Sequence, residues 1–292
     1  MLVSIIIPVF RNNKGLDSCL KALEVQTWPR DQFEILVVNN DPEKDIDVKT
    51  DAANLHILRE MTPGSYAARN KGINEARGEI TGFCDSDCIP SRDWIEKAVR
   101  FFKENPDCMR LAGKIELFTK NPEKPATAEL YEQVFAFRQE DYARKGAAAT
   151  ANMFAYRSVF ADAGLFRQDL MSGGDLEWGH RAQKAGHAIG FSPEVVVQHP
   201  ARKSVQELIL KSTRVVSGYI VLHDARFRTN PGRAIVHGLI MLKPPLESAR
   251  MIFARRDLPL MSRATVYGLE YLLKLVQLGE FIRLQAGGLP RR

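Results

Sequence analysis

The sequence predicts an α/β protein with a mostly parallel central sheet flanked by helices, followed by a helical C-terminal extension. Three observations support this fold class. Short runs rich in β-branched residues alternate with helical patterns through the first hundred residues, an order typical of βαβ units. The pattern after Pro200 is largely helical. The composition, 45% hydrophobic and 26% charged over 292 residues, is that of a globular protein with a sizeable core.

The elements of the first half follow from periodicity. Apolar runs predict four strands, at residues 3–9, 33–38, 55–58 and 80–84. Leu16, Leu20 and Leu23 share one face of a helix predicted over 15–26. A second helix, rich in small and polar residues, is predicted over 65–76.

The second half is less regular. Residues 110–199 mix strands with helices, and a loop over 171–174 with two glycines leads into a helix at Asp175. Beyond Pro200 an amphipathic helix is predicted over 269–284, with Glu270, Lys274 and Gln277 along its polar side.

Charge is unevenly distributed along the chain. The formal net charge is +6, but residues 201–292 carry 16 Lys and Arg against 6 Asp and Glu. Such a basic extension can attract an anionic membrane leaflet, a phosphorylated acceptor or nucleic acid, or it can be an ordinary solvated surface.

The cysteines and the apolar stretches indicate the cellular compartment of the protein. The four cysteines have no framework spacing, which is typical of reduced thiols in a cytosol. The N-terminus has no basic region or cleavage site of a signal peptide, and the apolar stretch over 234–242 is too short to span a bilayer. We therefore expect a cytoplasmic protein whose membrane contact, if any, is peripheral and at the inner face of the membrane.

Acidic residues follow a predicted buried strand. Asp85 and Asp87 alternate with Ser86 at the end of the strand over 80–84, so their carboxylates can converge on a hard cation such as Mg²⁺ or Mn²⁺. The carboxyl ends of parallel strands form the ligand crevice of such sheets, and Asn39 to Asp41 should face the same crevice. A D-x-D triplet alone is weak evidence, because Asp is also a common turn residue.

Five segments occur in a characteristic order: SIIIPVF, EILVVNND, AARNKGINEARGEITGFCDSD, TANMFAYR and GGDLEWGHRAQKAG. Together they resemble family 2 glycosyltransferases of the Rossmann-like GT-A fold, over roughly residues 2–200. The resemblance implies a catalytic domain over 1–200, with a nucleotide-binding part over about 1–110 and an acceptor part over about 111–200. Residues 201–292 would then be a basic, mostly helical extension.

The resemblance also implies a reaction and a donor site. An inverting transferase would move a sugar from a nucleotide-diphosphate donor, with a UDP-sugar favoured, to a hydroxyl acceptor. The expected nucleotide contacts are Pro8, Val9, Phe10, Asn39, Asp41, Arg69 and Asp85. Many relatives have Asp where this chain has Asn39. Asp87 would bind the divalent cation, Mn²⁺ or Mg²⁺, with His199 as a further ligand or, alternatively, as a structural residue.

Asp175 matches the family's catalytic base, although Gly174 stands where many relatives have Glu. The alternative for Asp175 is a helix cap. Contacts with the acceptor or the diphosphate are expected from Glu177, Trp178, Arg181 and Arg202. Two alternatives compete with these roles, since Trp178 can belong to the core and Glu177 can pair with Arg181 four residues later.

Two other functions are compatible with parts of this pattern. A sugar-phosphate nucleotidyltransferase should have a G-x-G-x-R loop after the first strand, where this chain has residues 8–12 reading PVFRN. A non-catalytic nucleotide-sugar or membrane-binding module would not need both the Asp pair and Asp175. The expected partners are a carbohydrate or lipid-linked acceptor of surface polysaccharide or glycolipid synthesis, an anionic membrane surface and a second copy in a homodimer, but no nucleic acid.

Overall fold

The fold was obtained as a computed structural model, which describes residues 1–48, 50, 52–119, 121–228 and 231–290. It confirms the α/β class. Over these residues the chain forms an eight-stranded sheet of order β3-β2-β1-β4-β7-β6-β8-β5. The strands are β1 (Val3–Val9), β2 (Phe33–Asn39), β3 (Leu55–Arg59), β4 (Ile80–Cys84), β5 (Ile89–Pro90), β6 (Cys108–Phe118), β7 (Asn152–Tyr156) and β8 (Ala188–Pro200).

The helices lie between and after these strands. They are α1 (Asn13–Glu24), α2 (Ser65–Glu75), α3 (Trp94–Glu104), α4 (Thr127–Phe135), α5 (Gln139–Arg144), α6 (Ser158–Ala163), α7 (Gly174–Lys184), α8 (Val205–Arg228), α9 (Pro231–Leu242), α10 (Leu246–Ala254) and α11 (Leu260–Gln285). The predicted strands and the first two helices match within two residues at each end. Helix α11 is longer than predicted and begins at Leu260.

The sheet is mixed. Strands β3, β2, β1 and β4 run parallel to one another, whereas β7 runs antiparallel to both β4 and β6. The four strands predicted from the sequence are the parallel ones, so the antiparallel half comes from the region whose pattern was irregular.

The chain divides into two compact units. The first comprises residues 1–116, 137–169 and 174–200 and contains nearly all of the sheet. The second comprises residues 117–136, 170–173 and 201–292 and is mainly helical. Residues 117–136, which carry α4, thus group with the C-terminal helices.

Strand register in the first unit brings the loops of three strands to one edge. Val9 at the end of β1 pairs with Asn39 at the end of β2, and the Asn40 amide donates to the Val9 carbonyl at 2.8 Å. Strand β4 runs in the same direction beside β1. The loops after β1, β2 and β4 therefore open at the same edge of the sheet, as the sequence predicted.

Helix α2 packs very closely on β1. Most of its residues are buried, and its small residues Ala67, Ala68 and Gly72 permit this approach. A Cβ atom on Gly72 would lie only 2.5 Å from Ile6 Cγ2, so a larger residue there would push the helix away from the strand. Glycine at this position fixes the height of α2 above the sheet.

The second unit has small apolar clusters and a buried ionic group centred on Glu132. Val216, Ile220, Phe281 and Leu284 pack α8 against α11. Glu132 on α4 is 1% exposed at its side chain and accepts from Arg202 at 2.7 Å and Lys211 at 2.9 Å. No helix among the described residues is long and apolar enough to cross a bilayer.

Candidate active site

The turn after β4 presents two carboxylates to solvent. The Cys88 amide donates to the Asp85 carbonyl at 3.0 Å, which closes a turn over residues 85–88. The side chains of Asp85 and Asp87 are 32% and 38% exposed, whereas Ser86 between them is buried. Both carboxylates of the D-x-D triplet are therefore accessible to a ligand.

Arg69 lies behind Asp85. Its guanidinium donates to Asp85 Oδ1 at 2.5 Å and stands 5.7 Å from the ring centre of Tyr66. The side chain is only 5% exposed, and its Nε has no hydrogen-bond partner among the described residues. A buried donor without a partner costs free energy, so this atom is suited to an oxygen supplied by a ligand.

Asp87 and His199 face each other as a candidate metal site. His199 Nε2 lies 3.8 Å from Asp87 Oδ1, and Cys88 Sγ lies within 4.8 Å of both ligand atoms. His199 Nδ1 is 2.8 Å from the Pro200 carbonyl, which assigns the ring proton to Nδ1 and leaves Nε2 as the acceptor. A carboxylate oxygen and an imidazole nitrogen at this separation fit a divalent cation of the Mn²⁺ or Mg²⁺ type.

A cavity of about 250 Å³ opens beside the ends of β1 and β2. Its lining residues are Arg11, Asn13, Asn39, Asp41, Lys44, Asp45 and Ile46. Asn39 Nδ2 donates to the Lys44 carbonyl at 2.8 Å, and Asn39 Oδ1 accepts from the Asp41 amide at 3.0 Å. The Asn39 side chain thus holds the loop that forms the cavity wall.

Arg11 is a cavity residue that sequence reasoning missed. Its Nε donates to Asp41 Oδ2 at 2.7 Å, and this hydrogen bond lowers the pKa of Asp41. The guanidinium also lies 5.0 Å from the ring centre of Phe10, which is 56% exposed. Arg11 has a positive φ of 53°, which is uncommon for a residue other than glycine. No sequence signal marked it, because one arginine in a loop is unremarkable.

Val9 and Phe10, at the end of the first strand, have different surroundings. Phe10 is exposed beside Arg11, whereas the Val9 side chain is 1% exposed and packs in the core. The Val9 carbonyl accepts a hydrogen bond from the Asn40 amide. The Val9 side chain therefore faces the hydrophobic core, and a nucleotide contact from Val9 stays a prediction.

Asp175 is held by three donors at the start of α7. Its Oδ1 accepts from the Tyr66 hydroxyl at 3.1 Å and from the Leu176 amide at 3.0 Å, and its Oδ2 accepts from the Thr150 amide at 3.4 Å. Burial among surrounding protein atoms raises the pKa of Asp175, and the charge of Arg69 opposes that rise without cancelling it. A carboxylate with a raised pKa is a stronger base than an exposed aspartate.

Tyr66 also explains why glycine precedes Asp175. The Gly174 amide donates to the Tyr66 hydroxyl at 2.9 Å, and a Cβ on Gly174 would lie 2.7 Å from the Tyr66 ring. A glutamate in this position, as the resemblance would suggest, has no room beside the ring. The role of Tyr66 was not predicted from the sequence, because Tyr66 looks like one more apolar residue on a helix of small residues.

The structure corrects the role expected of Trp178. Its side chain is fully buried, and its ring stacks on Phe160 with ring centres 4.5 Å apart. Its Nε1 donates to the Gly164 carbonyl at 2.8 Å. With the ring covered by protein, Trp178 is a core residue and cannot stack on a sugar.

Arg181 and Glu177 form an ion pair, which is the alternative that their spacing of four residues predicts. Arg181 Nε donates to Glu177 Oε1 at 2.8 Å, and the guanidinium also donates to the carbonyls of Ala163 and Leu165. These contacts join α7 to the loop after α6. The expected contact of Arg181 with acceptor or diphosphate stays a prediction.

Arg202 lies in the second unit and pairs with Glu132. Both its backbone amide and its guanidinium donate to the Glu132 carboxylate, at 2.8 and 2.7 Å. A contact of Arg202 with acceptor or diphosphate stays a prediction.

Known proteins resemble this chain in sequence and in fold. The profile of Glycosyl transferase family 2 matches residues 4–162. Glycosyltransferase AglE of Haloferax volcanii is 38% identical over 225 residues, which cover 75% of this chain and 73% of AglE. A dolichyl N-acetyl-α-D-glucosaminyl phosphate 3-β-D-2,3-diacetamido-2,3-dideoxy-β-D-glucuronosyltransferase of Methanococcus voltae is 24% identical, covering 71% of this chain and 69% of that enzyme.

Two solved structures share the fold. Mannosyltransferase PcManGT of Pyrobaculum calidifontis, solved with GDP-Man and Mn²⁺, gives a TM-score of 0.58 at 18% identity over 96% of this chain and 86% of that chain. S. aureus TarS 1–349 in complex with UDP-GlcNAc gives 0.54 at 17% identity over 100% of this chain and 93% of that chain. At such identities the likeness shows the GT-A fold alone.

Proposed function

The chain belongs to Glycosyl transferase family 2, and from this we propose its function. The proposed reaction is metal-dependent transfer of a sugar from a nucleotide-diphosphate donor to a hydroxyl of an acceptor, with inversion at the anomeric carbon. One observation carries it. Helix α2 holds Arg69 against Asp85 and Tyr66 against Asp175, so one element positions both the donor-side carboxylate and the candidate base.

The donor's nucleoside is assigned to the cavity beside β1 and β2. Asp41 can accept from a base N–H, and Arg11 can donate to base carbonyls, which suits the hydrogen-bonding edge of uracil. We therefore propose a UDP-sugar donor. TarS binds UDP-GlcNAc and PcManGT binds GDP-Man, so both bases occur on this fold.

Asp87 and His199 are the proposed ligands of the divalent cation, beside Asp85 and Arg69. A bound Mn²⁺ or Mg²⁺ would neutralise the charge that grows on the leaving diphosphate. Arg69 supports the same end of the site, because its unpartnered Nε can donate to an oxygen of the nucleotide. The cation in the PcManGT complex is Mn²⁺.

Asp175 is the proposed general base. With a raised pKa it takes the proton from the acceptor hydroxyl, and the hydroxyl oxygen then attacks the anomeric carbon from the face opposite the leaving diphosphate. Tyr66, Leu176 and Thr150 donate to the carboxylate and fix its orientation before the acceptor arrives. A single displacement of this kind inverts the anomeric configuration.

The acceptor is proposed to be lipid-linked, in the synthesis of a surface polysaccharide or glycolipid. The relative from Methanococcus voltae acts on a dolichyl phosphate-linked sugar by its name. The basic residues of 201–292 suit an anionic leaflet, and we propose peripheral attachment there. In this arrangement residues 1–200 are the catalytic domain, with donor binding in about 1–110 and acceptor binding in about 111–200.

The test is release of nucleoside diphosphate from a panel of UDP-, GDP- and dTDP-sugars, with Mn²⁺ or Mg²⁺ and with a chelator. Metal-dependent release from a UDP-sugar is the expected result, and NMR of the glycoside product should show inversion. Release that is unaffected by chelator contradicts the metal site. A folded protein that binds donors without turnover, even with lipid-linked acceptors, would instead be a binding module.

A further inference from the structure

The outer face of α9 is apolar and exposed. Five large residues on it are between 46% and 65% exposed, namely Ile235, Val236, Leu239, Ile240 and Leu242. We call these five residues the α9 face. Single exposed apolar residues are ordinary, but a contiguous row along one helix marks an interaction surface.

The opposite side of the same helix is already packed. Ala234 and Met241 pack against the cluster formed by α8 and α11. The ring of His237 stacks on Tyr219, with ring centres 5.4 Å apart, and Gly238 lies beside Leu278 of α11. Helix α9 is therefore apolar on both sides, a pattern typical of helices that are covered on both sides.

Helix α11 extends the exposed apolar surface. Leu275 and Ile282 are 39% and 57% exposed, and they stand one helical turn before and after Leu278, the residue beside Gly238. The patch therefore crosses from one helix to the next.

The ends of the α9 face are basic. Arg233 lies in the first turn of α9, and Lys243 follows its last residue. Lys274 of α11 donates to the Lys243 carbonyl at 2.6 Å, which brings a further ammonium group to that end. From residue 229 to residue 246 the sequence contains no Asp or Glu. An apolar centre between basic ends complements an anionic lipid surface.

We propose that the α9 face, with Leu275 and Ile282, docks the protein on an anionic membrane leaflet. At 1.5 Å per residue the helix is about 18 Å long, short of the roughly 30 Å of a hydrocarbon core, so it lies in the interface plane. A second copy of the chain fits the α9 face less well than a membrane does. Two-fold pairing of identical faces would bring their basic ends together, and these would repel each other. The inference rests on the proposed function in one respect, since a lipid-linked acceptor would lie in the leaflet that this surface contacts.

The experiment is flotation of the full chain with vesicles of phosphatidylcholine alone and of phosphatidylcholine mixed with phosphatidylglycerol. The expected result is binding to the mixed vesicles only. The double variant Leu239→Glu with Ile240→Glu should bind about hundredfold more weakly, because each buried leucine or isoleucine accounts for about a tenfold change. Arg233→Glu with Lys243→Glu should remove the preference for anionic lipid. Ile57→Glu is the matched control, because Ile57 is 53% exposed but lies on β3 of the first unit, and it should leave flotation unchanged.

Equal binding to both vesicles would overturn the proposal, as would unchanged flotation of the double variant. Light scattering tests the second copy: a dimer that the double variant dissociates, without vesicle binding, also overturns it. Circular dichroism of each variant confirms folding. Release of nucleoside diphosphate without acceptor should stay within about twofold in the α9 variants, so a failure of docking is distinguishable from a failure of the proposed reaction.

Discussion

The hydroxyl of Tyr66 donates to the carboxylate of Asp175 at 3.1 Å and accepts from the Gly174 amide at 2.9 Å. One side chain of α2 thereby orients both the candidate base and the glycine before it. Arg69 follows three residues later on the same helix and holds Asp85. The two halves of the proposed reaction, departure of the diphosphate and activation of the acceptor, share one rigid support.

Replacing Tyr66 by phenylalanine keeps the ring but removes the hydroxyl. The hydrogen bond from Tyr66 lowers the pKa of Asp175, so its loss should raise that pKa further. Activity needs ionised Asp175 and is lost as pH falls through its pKa; the acid limb of the kcat profile should therefore move to higher pH. Asp175 also loses a donor that fixes its orientation. A hydrogen bond to a charged group contributes about 1.5–3 kcal/mol, and loss of that much positioning energy from the transition state predicts about a 10- to 100-fold fall in kcat. Donor KM should change little, and an unmoved acid limb contradicts this role.

Asp175→Asn removes the proposed base and keeps the shape of the side chain. Positioned base catalysis is worth about 10²- to 10⁴-fold, and kcat for transfer should fall by that factor. Donor affinity, measured by calorimetry with UDP, should be nearly unchanged. Glu177→Gln is the matched control on the same helix, because Glu177 pairs with Arg181. If Glu177→Gln were the more damaging change to kcat, Asp175 would not be the base.

His199→Gln tests the metal site. Loss of the imidazole that faces Asp87 should weaken Mn²⁺ binding at least about tenfold, as measured by calorimetry or by electron paramagnetic resonance of Mn²⁺. These measurements do not depend on turnover. His180→Gln is the control, because His180 is exposed on α7. Equal Mn²⁺ affinity of both variants would rule out His199 as a ligand.

Glu132→Ala tests the ionic group of the second unit. Burial favours protonation of Glu132, but the charges of Lys211 and Arg202 outweigh it and lower its pKa. Removing a buried partner from such a group costs about 3–5 kcal/mol of unfolding free energy in urea. Because the folded pKa is lowered, the carboxylate stabilises the fold at neutral pH and loses this effect as pH falls through that value. The difference from wild type should shrink at low pH.

Glu140→Ala is the control for Glu132→Ala. Glu140 pairs with Arg144 on the surface of α5, where its side chain is 56% exposed. An exposed pair contributes about 0–1 kcal/mol, so this variant should unfold almost as wild type does. Similar losses in the two variants would contradict the buried ionic group.

The sequence predicted the parallel half of the sheet well, because strands buried on both faces leave unbroken apolar runs such as those of β1 and β2. It also predicted that the loop ends meet at one edge. It could not show Tyr66 or Arg11, since their roles depend on neighbours distant in sequence, Asp175 and Asp41. Trp178 was ambiguous for the same reason, and only its packing on Phe160 decided between core and sugar contact.

The close contact of Gly72 with Ile6 bears on how far this enzyme can be redesigned. Any residue larger than glycine at position 72 would meet Ile6 and displace α2, and with it Tyr66 and Arg69. Under the proposed function, the cavity loop over residues 41–46 contributes to recognition of the base and lies outside α2. Directed evolution of the donor preference should therefore begin at the cavity loop and leave α2, with its Gly72, untouched.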